Sequence, residues 1–355
     1  MLSGPTDDAH AALNTPAGVV HDLLSKHQAV GRTFRAAVLL FGVLFILGIV
    51  GFVLRVQGGV SDTAVWGYHA ALFAFILTAA QGAPMVAIGP RLAKAHWRRP
   101  ISRAAELFTA VGLFNLLLFI PLLWVLPSLE DGRRSLWFFG DLDVPAYTPH
   151  IMASLGLVLL VLSGAALLWV SSLPDLALVR DNSTGRRQRI FACLANGWHG
   201  TSRQWNMQYH RLGILGAFYF MMLIVVHFLI SVDFAMALVP GWIDALYPAT
   251  HAFNSLQAGT ATVLVTMFLL RQFGGYKEYI GLEQFWGLGK VLFAMCLLWI
   301  WFWFSSFNIL WYGKKPNELA ALELLMVGPY LVPFVVSFLL NFVVPFFAMI
   351  WNPVR

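Results

Sequence analysis

Eight long apolar stretches run along this chain, separated by short polar intervals. They are Phe34–Val56, Val65–Gly89, Ala104–Leu126, Ile151–Leu173, Leu212–Leu238, Leu246–Leu270, Phe285–Leu310 and Ala320–Trp351. A bilayer core about 30 Å thick takes about 20 apolar residues as helix, and every stretch is long enough. Inside lipid the backbone must satisfy its own hydrogen bonds, so runs this long predict helices. The pattern therefore predicts an all-α integral membrane fold of eight transmembrane helices. Gln81-Gly-Ala-Pro84 should break the second span, and Pro329, Pro333 and Pro345 should kink or interrupt the eighth. Proline lacks the N–H that an interior helical position donates.

Charge adds an orientation. Seventeen Lys and Arg residues fall on one side of these spans and five on the other (Arg55, Arg133, Arg134, Lys314 and Lys315), with every loop agreeing in parity. Basic residues accumulate on the cytoplasmic side, so both termini are expected there. Residues 1–33 form a cytoplasmic segment without the apolar core of a signal peptide. Within it, Val19–Gln28 is either a short amphipathic surface helix or a mobile tail. On the opposite side the longest loop, Pro127–Pro149, carries Glu130, Asp131, Asp141 and Asp143 and offers a place for an extracytoplasmic partner.

Composition agrees with lipid as the main solvent. Hydrophobic residues make up 59% of the 355 positions and charged residues 11%, against about 45–50% and about 25% in a soluble domain. The net charge of +6 sits in the short loops and so gives no reason to expect a nucleic-acid partner. Cys193 and Cys296 have no ligand-spaced partners, so no disulfide, zinc site or cysteine-bound cluster is expected from this chain.

Polar groups within spans are costly and are functional candidates by default. Counting depth places His69, His150, Asp233, His251, Asn254, Asn308 and Glu323 in the outer half. Gln81, Glu106, Asn115, His227, Lys290 and Asn341 lie deeper or nearer the cytoplasm. Histidine and carboxylate at one depth suit the two oxygens of a quinone and the protons they exchange. His251 and Asn254, three apart, share a helical face. The inner residues suggest a proton route. Each histidine has the plainer alternative of bonding a neighbouring helix carbonyl, and Glu106 and Lys290 that of snorkelling. Trp66, Trp242 and Trp311 fit an interfacial aromatic belt, while Trp299, Trp301 and Trp303 suit packing or lipid contact. No two histidines obviously face each other, so no bound haem is expected.

Several stretches then resemble a known family. Trp66-Gly-Tyr-His69, Trp97-Arg-Arg-Pro100-Ile-Ser-Arg103-Ala-Ala-Glu106, Pro174-Asp175-Leu-Ala-Leu-Val-Arg180-Asp181 and Gly197-Trp198-His-Gly-Thr-Ser-Arg-Gln204-Trp205 are four of them. His227-Phe-Leu-Ile-Ser231-Val-Asp233-Phe234, Pro240-Gly-Trp242 and the segment from Gly289-Lys290 to Trp311-Tyr312-Gly313 follow in order. Together they resemble the NrfD/polysulfide-reductase membrane-subunit family, which includes the quinone-binding subunits of alternative complex III. The likeness runs from about Val65 to Glu318. This chain has fewer spans than usual for the alternative-complex type, and Gly-Lys-Lys-Pro-Asn-Glu after Tyr312 departs from a more acidic ending.

The resemblance implies two adjacent four-helix bundles, about 34–178 and 212–352, joined by a basic cytoplasmic loop 179–211. It implies a quinone (menaquinone or ubiquinone) bound near the outer face, with no redox centre in this chain. An extracytoplasmic iron–sulfur subunit is the implied partner, with a multihaem cytochrome c and further membrane subunits as further candidates. His69 and Asp233 match the family's quinone-site positions. On this reading His251, Asn254 and His150 line the quinone site, and His227, Asn115, Gln81, Glu106 and Lys290 form a proton route. The setting would be a bacterial cytoplasmic membrane. A secondary transporter and a purely structural anchor stand as alternatives. The absence of a matched broken span in an internal repeat weighs against transport.

Overall fold

The computed structural model describes residues 16–28, 31–59, 63–136 and 144–351. The described residues are helical, without a strand. Among them, eight helices are long and apolar enough to cross a membrane, at 34–57, 65–92, 96–125, 148–181, 202–238, 247–273, 282–313 and 331–349. The chain is therefore an all-α, multi-pass membrane protein.

Packing divides it into two units, residues 1–62 with 174–198, and residues 63–173 with 199–355. The first unit contains α1 (Pro16–Gln28) and α2 (Arg32–Gln57), the first span. No residue of the apolar window of α2 is buried by protein, as befits a helix solvated by lipid. The same unit holds the end of α7 (Thr148–Asp181) and all of α8 (Gly185–Leu194). Arg180 ties this region together, pairing with Asp181 at 2.7 Å and donating to the Trp198 carbonyl at 2.9 Å.

The second unit holds the remaining spans. Its second span is broken into α3 (Thr63–Gly82) and α4 (Met85–Leu92) around Ala83-Pro84. The third is α5 (Arg99–Leu107) and α6 (Val111–Val125), and the fourth is α7. Then come α9 (Ser202–Asp233), α10 (Tyr247–Phe273) and α11 (Leu282–Gly313). A short α12 (Pro316–Met326) precedes the last span, α13 (Leu331–Phe338), a π-helical turn at Leu339–Val343 and α14 (Val344–Met349).

Two apolar cores meet at the broken span. One joins Phe73, Leu77 and Ile88 to Phe119 of α6, Leu157 and Leu160 of α7, and Tyr219 and Leu223 of α9. The other joins Ala83, Val86 and Ala87 to Ile101 and Ala105 of α5, Val263 and Met267 of α10, and Leu288 of α11. Spans two to five share the first of these cores. The expected loop 179–211 is largely helical. It holds α8 and the first turns of α9, which begins at Ser202 behind a capping box of Thr201 and Gln204.

Pro84 explains the break. It removes one N–H and crowds the preceding turn. The Gln81 carbonyl at the break accepts the Tyr219 hydroxyl at 2.6 Å. Here the chain also makes its closest crossing. A Cβ on Gly82 would fall on the Ser255 carbonyl, and one on Gly259 would fall on the Gly82–Ala83 peptide. Lipid tails are as apolar as leucine, so membrane helices associate through close packing of small residues rather than by exclusion of water.

At the eighth span the expected interruption falls at 327–330, between α12 and α13, so Ala320–Trp351 is not one helix. Gly82→Ala or Gly259→Ala should destabilise the protein by about 1–3 kcal/mol or more through overpacking. Thermal unfolding in detergent checks this, with Gly48→Ala, where nothing stands within 4 Å, as the neutral comparison.

Candidate functional site

A cavity of about 590 Å³ opens among α3, α6, α9 and α10. Its walls are Phe73, Phe119, Leu122, Ile230, Phe234 and Leu238, with Trp66, Tyr247, Ser231 and His251 adding polar atoms. One wall is low because Gly67, Ala70, Ala71 and Ala74 stand at i, i+3, i+4 and i+7 of α3, a single helical face of small residues. Sequence reading missed this stripe, although the spacing is legible. It also placed Trp66 in an interfacial belt, whereas Trp66 is 2% exposed and belongs to the cavity wall.

His251 is paired with His227. The two rings lie 5.1 Å apart, and Tyr247 and then Trp242 extend the row at 6.1 and 4.4 Å. His227 is fully buried, and its Nδ1–H donates to the Leu223 carbonyl at 2.7 Å. That bond leaves Nε2 as the acceptor nitrogen of the neutral ring. Neither His227 Nε2 nor His251 Nδ1 has a hydrogen-bond partner among the described residues. Depth counting put these residues in different layers, but the structure brings them together. His227 lies six residues below the end of α9, about 9 Å, and His251 four residues below the start of α10, about 6 Å.

Asp233 and His69 are engaged elsewhere. Asp233 is fully buried and accepts the Ser135 hydroxyl at 2.5 Å and the Leu136 N–H at 3.2 Å. Its backbone carbonyl accepts Arg133 Nη1 at 2.7 Å, and the guanidinium sits 5.2 Å over Phe234. Burial lowers the Arg133 pKa from its ordinary value, opposed by the negative charges of Asp233 and Asp131. The loop between α6 and α7 is thereby fastened to the end of α9, where Phe234 begins the cavity wall. Asp141 and Asp143 of that loop lie outside the described residues. His69 Nε2 donates to the Leu118 carbonyl at 2.7 Å, joining α3 to α6, and His69 is not part of the wall. His150 similarly bonds the Leu126 carbonyl at 3.2 Å and packs against Tyr147 and Phe234.

The deeper polar residues separate into distinct places. Gln81 and Asn115 are buried, and Gln81 Nε2 and both side-chain polar atoms of Asn115 lack partners among the described residues. Gly112, on the Asn115 face of α6, leaves room for the Gln81 amide 3.5 Å from where its Cβ would be. Glu106 is buried between two arginines, with Arg91 Nη2 at 2.5 Å and Arg103 Nη1 at 2.9 Å. Arg103 also donates to the Ser171 hydroxyl and carbonyl at 2.8 Å each, linking α5 to α7. Glu106 is therefore ion-paired inside the protein rather than snorkelling. Lys290 is exposed on α11, and Asn308 and Glu323 are exposed on α11 and α12. Asn254 is half-buried and outside the cavity wall.

Two further polar contacts escaped sequence reading. Asp244 accepts the Leu246 and Tyr247 N–H groups at 2.8 and 3.2 Å and the Ser306 hydroxyl at 3.0 Å, holding the start of α10 beside α11. Gln257 Nε2 donates at 3.0 Å to the Asn341 carbonyl within the π turn.

The chain matches no family model and no curated protein. Its class is that of a multi-pass helical membrane protein with a ligand-sized apolar cavity whose polar corner is histidine.

Removing the Glu106 charge would leave two buried or half-buried guanidiniums without their carboxylate. Glu106→Gln should cost about 3–5 kcal/mol, read as a lowered unfolding midpoint in detergent. An unchanged midpoint would show that the cluster contributes little to stability.

Proposed function

We propose that this chain is the quinone- or quinol-binding membrane subunit of a multi-subunit respiratory oxidoreductase. The setting is a bacterial cytoplasmic membrane, with both termini in the cytoplasm. The observation that carries the reading is the cavity, apolar over most of its wall, with His251 among its lining residues. Ligand sites are commonly pockets of about 300–1,000 Å³ with few polar groups to fix orientation. A quinone head has that character, being a flat apolar ring with two oxygens and an apolar tail.

Bound there, quinol supplies two electrons and two protons on oxidation, the electrons passing to an iron–sulfur partner outside the membrane. His251, on the cavity lining, can take a hydrogen bond or a proton from a ring oxygen. His227, fixed through Leu223, is its neighbouring acceptor. Trp66, Phe73 and Phe119 hold the ring and keep water from it. Asp233 acts beside this wall by fixing the outer loop over Phe234, in addition to the proton role that the resemblance implies for it. His69 fixes the spacing of α3 and α6. Gln81, Asn115 and Glu106 are the residues along which protons would be exchanged with the cytoplasm, and Lys290, exposed on α11, lies outside that set.

In the purified native assembly, His251→Gln should lower quinol oxidation by at least about tenfold, the loss of one positioned acid–base group costing about 10²–10⁴ at the upper end. Asp233→Asn should remove most of the activity. His69→Gln, away from the wall, should act mainly through stability. Normal turnover in both His251→Gln and Asp233→Asn would end this reading. Solute uptake by the isolated chain in liposomes would replace it with transport.

A further inference from the structure

A second, smaller cleft lies at the basic end of the broken span. Arg91, Leu92, Tyr209, His210, Gly213 and Ile214 enclose about 240 Å³ between α4 and α9. The sequence sets its depth. Arg91 is followed by Lys94, His96, Arg98 and Arg99, and α9 carries Arg203 and Arg211 and then no Asp, Glu, Lys or Arg before Asp233. The cleft therefore straddles the change from polar to apolar helix surface, the level of lipid headgroups.

Its guanidinium group has an N–H unpaired among the described residues. Arg91 is 9% exposed, its Nη2 is bound to Glu106, and its Nη1 has no acceptor among the described residues. Glu106 is already shared with Arg103, and Arg98 stands within electrostatic reach of both Arg91 and Glu106. A buried N–H without an acceptor is costly. Tyr209 and His210, with rings 5.9 Å apart, bring further polar groups to the same cleft. The lips are apolar, and Leu92 and Ile214 are 59% and 72% exposed, surface that acyl chains cover readily.

We propose that this cleft binds the phosphate of an anionic phospholipid. Arg91 pairs with the phosphate, Tyr209 and His210 contact the headgroup, and Leu92 and Ile214 flank the chains. Basic pockets between membrane helices suit such headgroups. The site is independent of the cavity and of any reading of its ligand.

The test uses the full chain in phosphatidylcholine nanodiscs, with and without phosphatidylglycerol. Native mass spectrometry reads retained lipid, and thermal unfolding reads protection. One phosphatidylglycerol should be retained in preference to phosphatidylcholine. Arg91→Gln should lose it, but this variant also frees Glu106 and so can misfold. The double variant Tyr209→Phe with His210→Ala, at exposed positions, should retain it about tenfold more weakly. Equal retention by the double variant, or no preference over phosphatidylcholine, would overturn the proposal. Full protection by inorganic phosphate in pure phosphatidylcholine discs would also overturn it, by making this a site for free anions.

Discussion

The crossing of Gly82–Ala83 with Ser255 and Gly259 is the contact on which the rest of the second unit depends. Backbone faces backbone there, with no room for a Cβ on Gly82 or Gly259. Helices in lipid gain little from burying apolar side chains, and contact at short range must supply the attraction. The break at Pro84, between α3 and α4, lies at this crossing. It also leaves backbone groups outside the regular helical ladder, and one of them, the Gln81 carbonyl, is met by Tyr219 from α9. One proline thus fixes three helices: α3 with α4, α10 by close contact and α9 by a hydrogen bond. Both apolar cores are built outward from that point.

Polar groups buried on the two sides of this crossing have different fates. Toward the basic end they are paired, with Glu106 held by Arg91 and Arg103 and Arg103 held by serines of α7. An ion pair inside protein and lipid contributes little net stability against an apolar alternative, yet losing one partner is severe. Such a cluster fixes the relative positions of α4, α5 and α7. Toward the opposite end, His251 and His227 keep buried nitrogens without partners among the described residues, and His251 also lines the apolar cavity. An unsatisfied polar atom in lipid surroundings is expensive.

Much of the fold was legible because lipid demands long apolar runs. All eight spans fall within the expected ranges or overlap them closely, and Gln81–Pro84 announces its own break. Helical structure in the basic segment, such as α8, was not legible, since apolar runs mark spans and not polar helices. Nor was the grouping of spans, which depends on where Gly82 and Gly259 meet. The histidine pair shows how far linear counting reaches. Measured from the ends of their spans away from the joining loop, His227 and His251 fall in different layers. Measured from the short loop that joins α9 to α10, they lie about 3 Å apart in depth. Neighbouring antiparallel helices share an origin at their common loop, and depth is reliable only from there. Trp66 illustrates the other limit. Its position near a span end suits a belt, but the small-residue stripe beginning at Gly67 turns that end of α3 inward.

That stripe also explains why a cavity persists in a bundle otherwise closed by packing. Gly67, Ala70, Ala71 and Ala74 leave space that larger residues would fill, while Phe73 and Leu77 carry the packing from other positions of α3. Closure would require α3 to move toward α6 and α9. The Gly82 crossing holds the C-terminal end of α3, and the His69–Leu118 hydrogen bond spans α3 and α6 nearer its N-terminal end. With both ends fixed, the gap between them cannot collapse without breaking one of these contacts. The arrangement needs no separate support for the site. The contacts that hold the fold together also keep the cavity open.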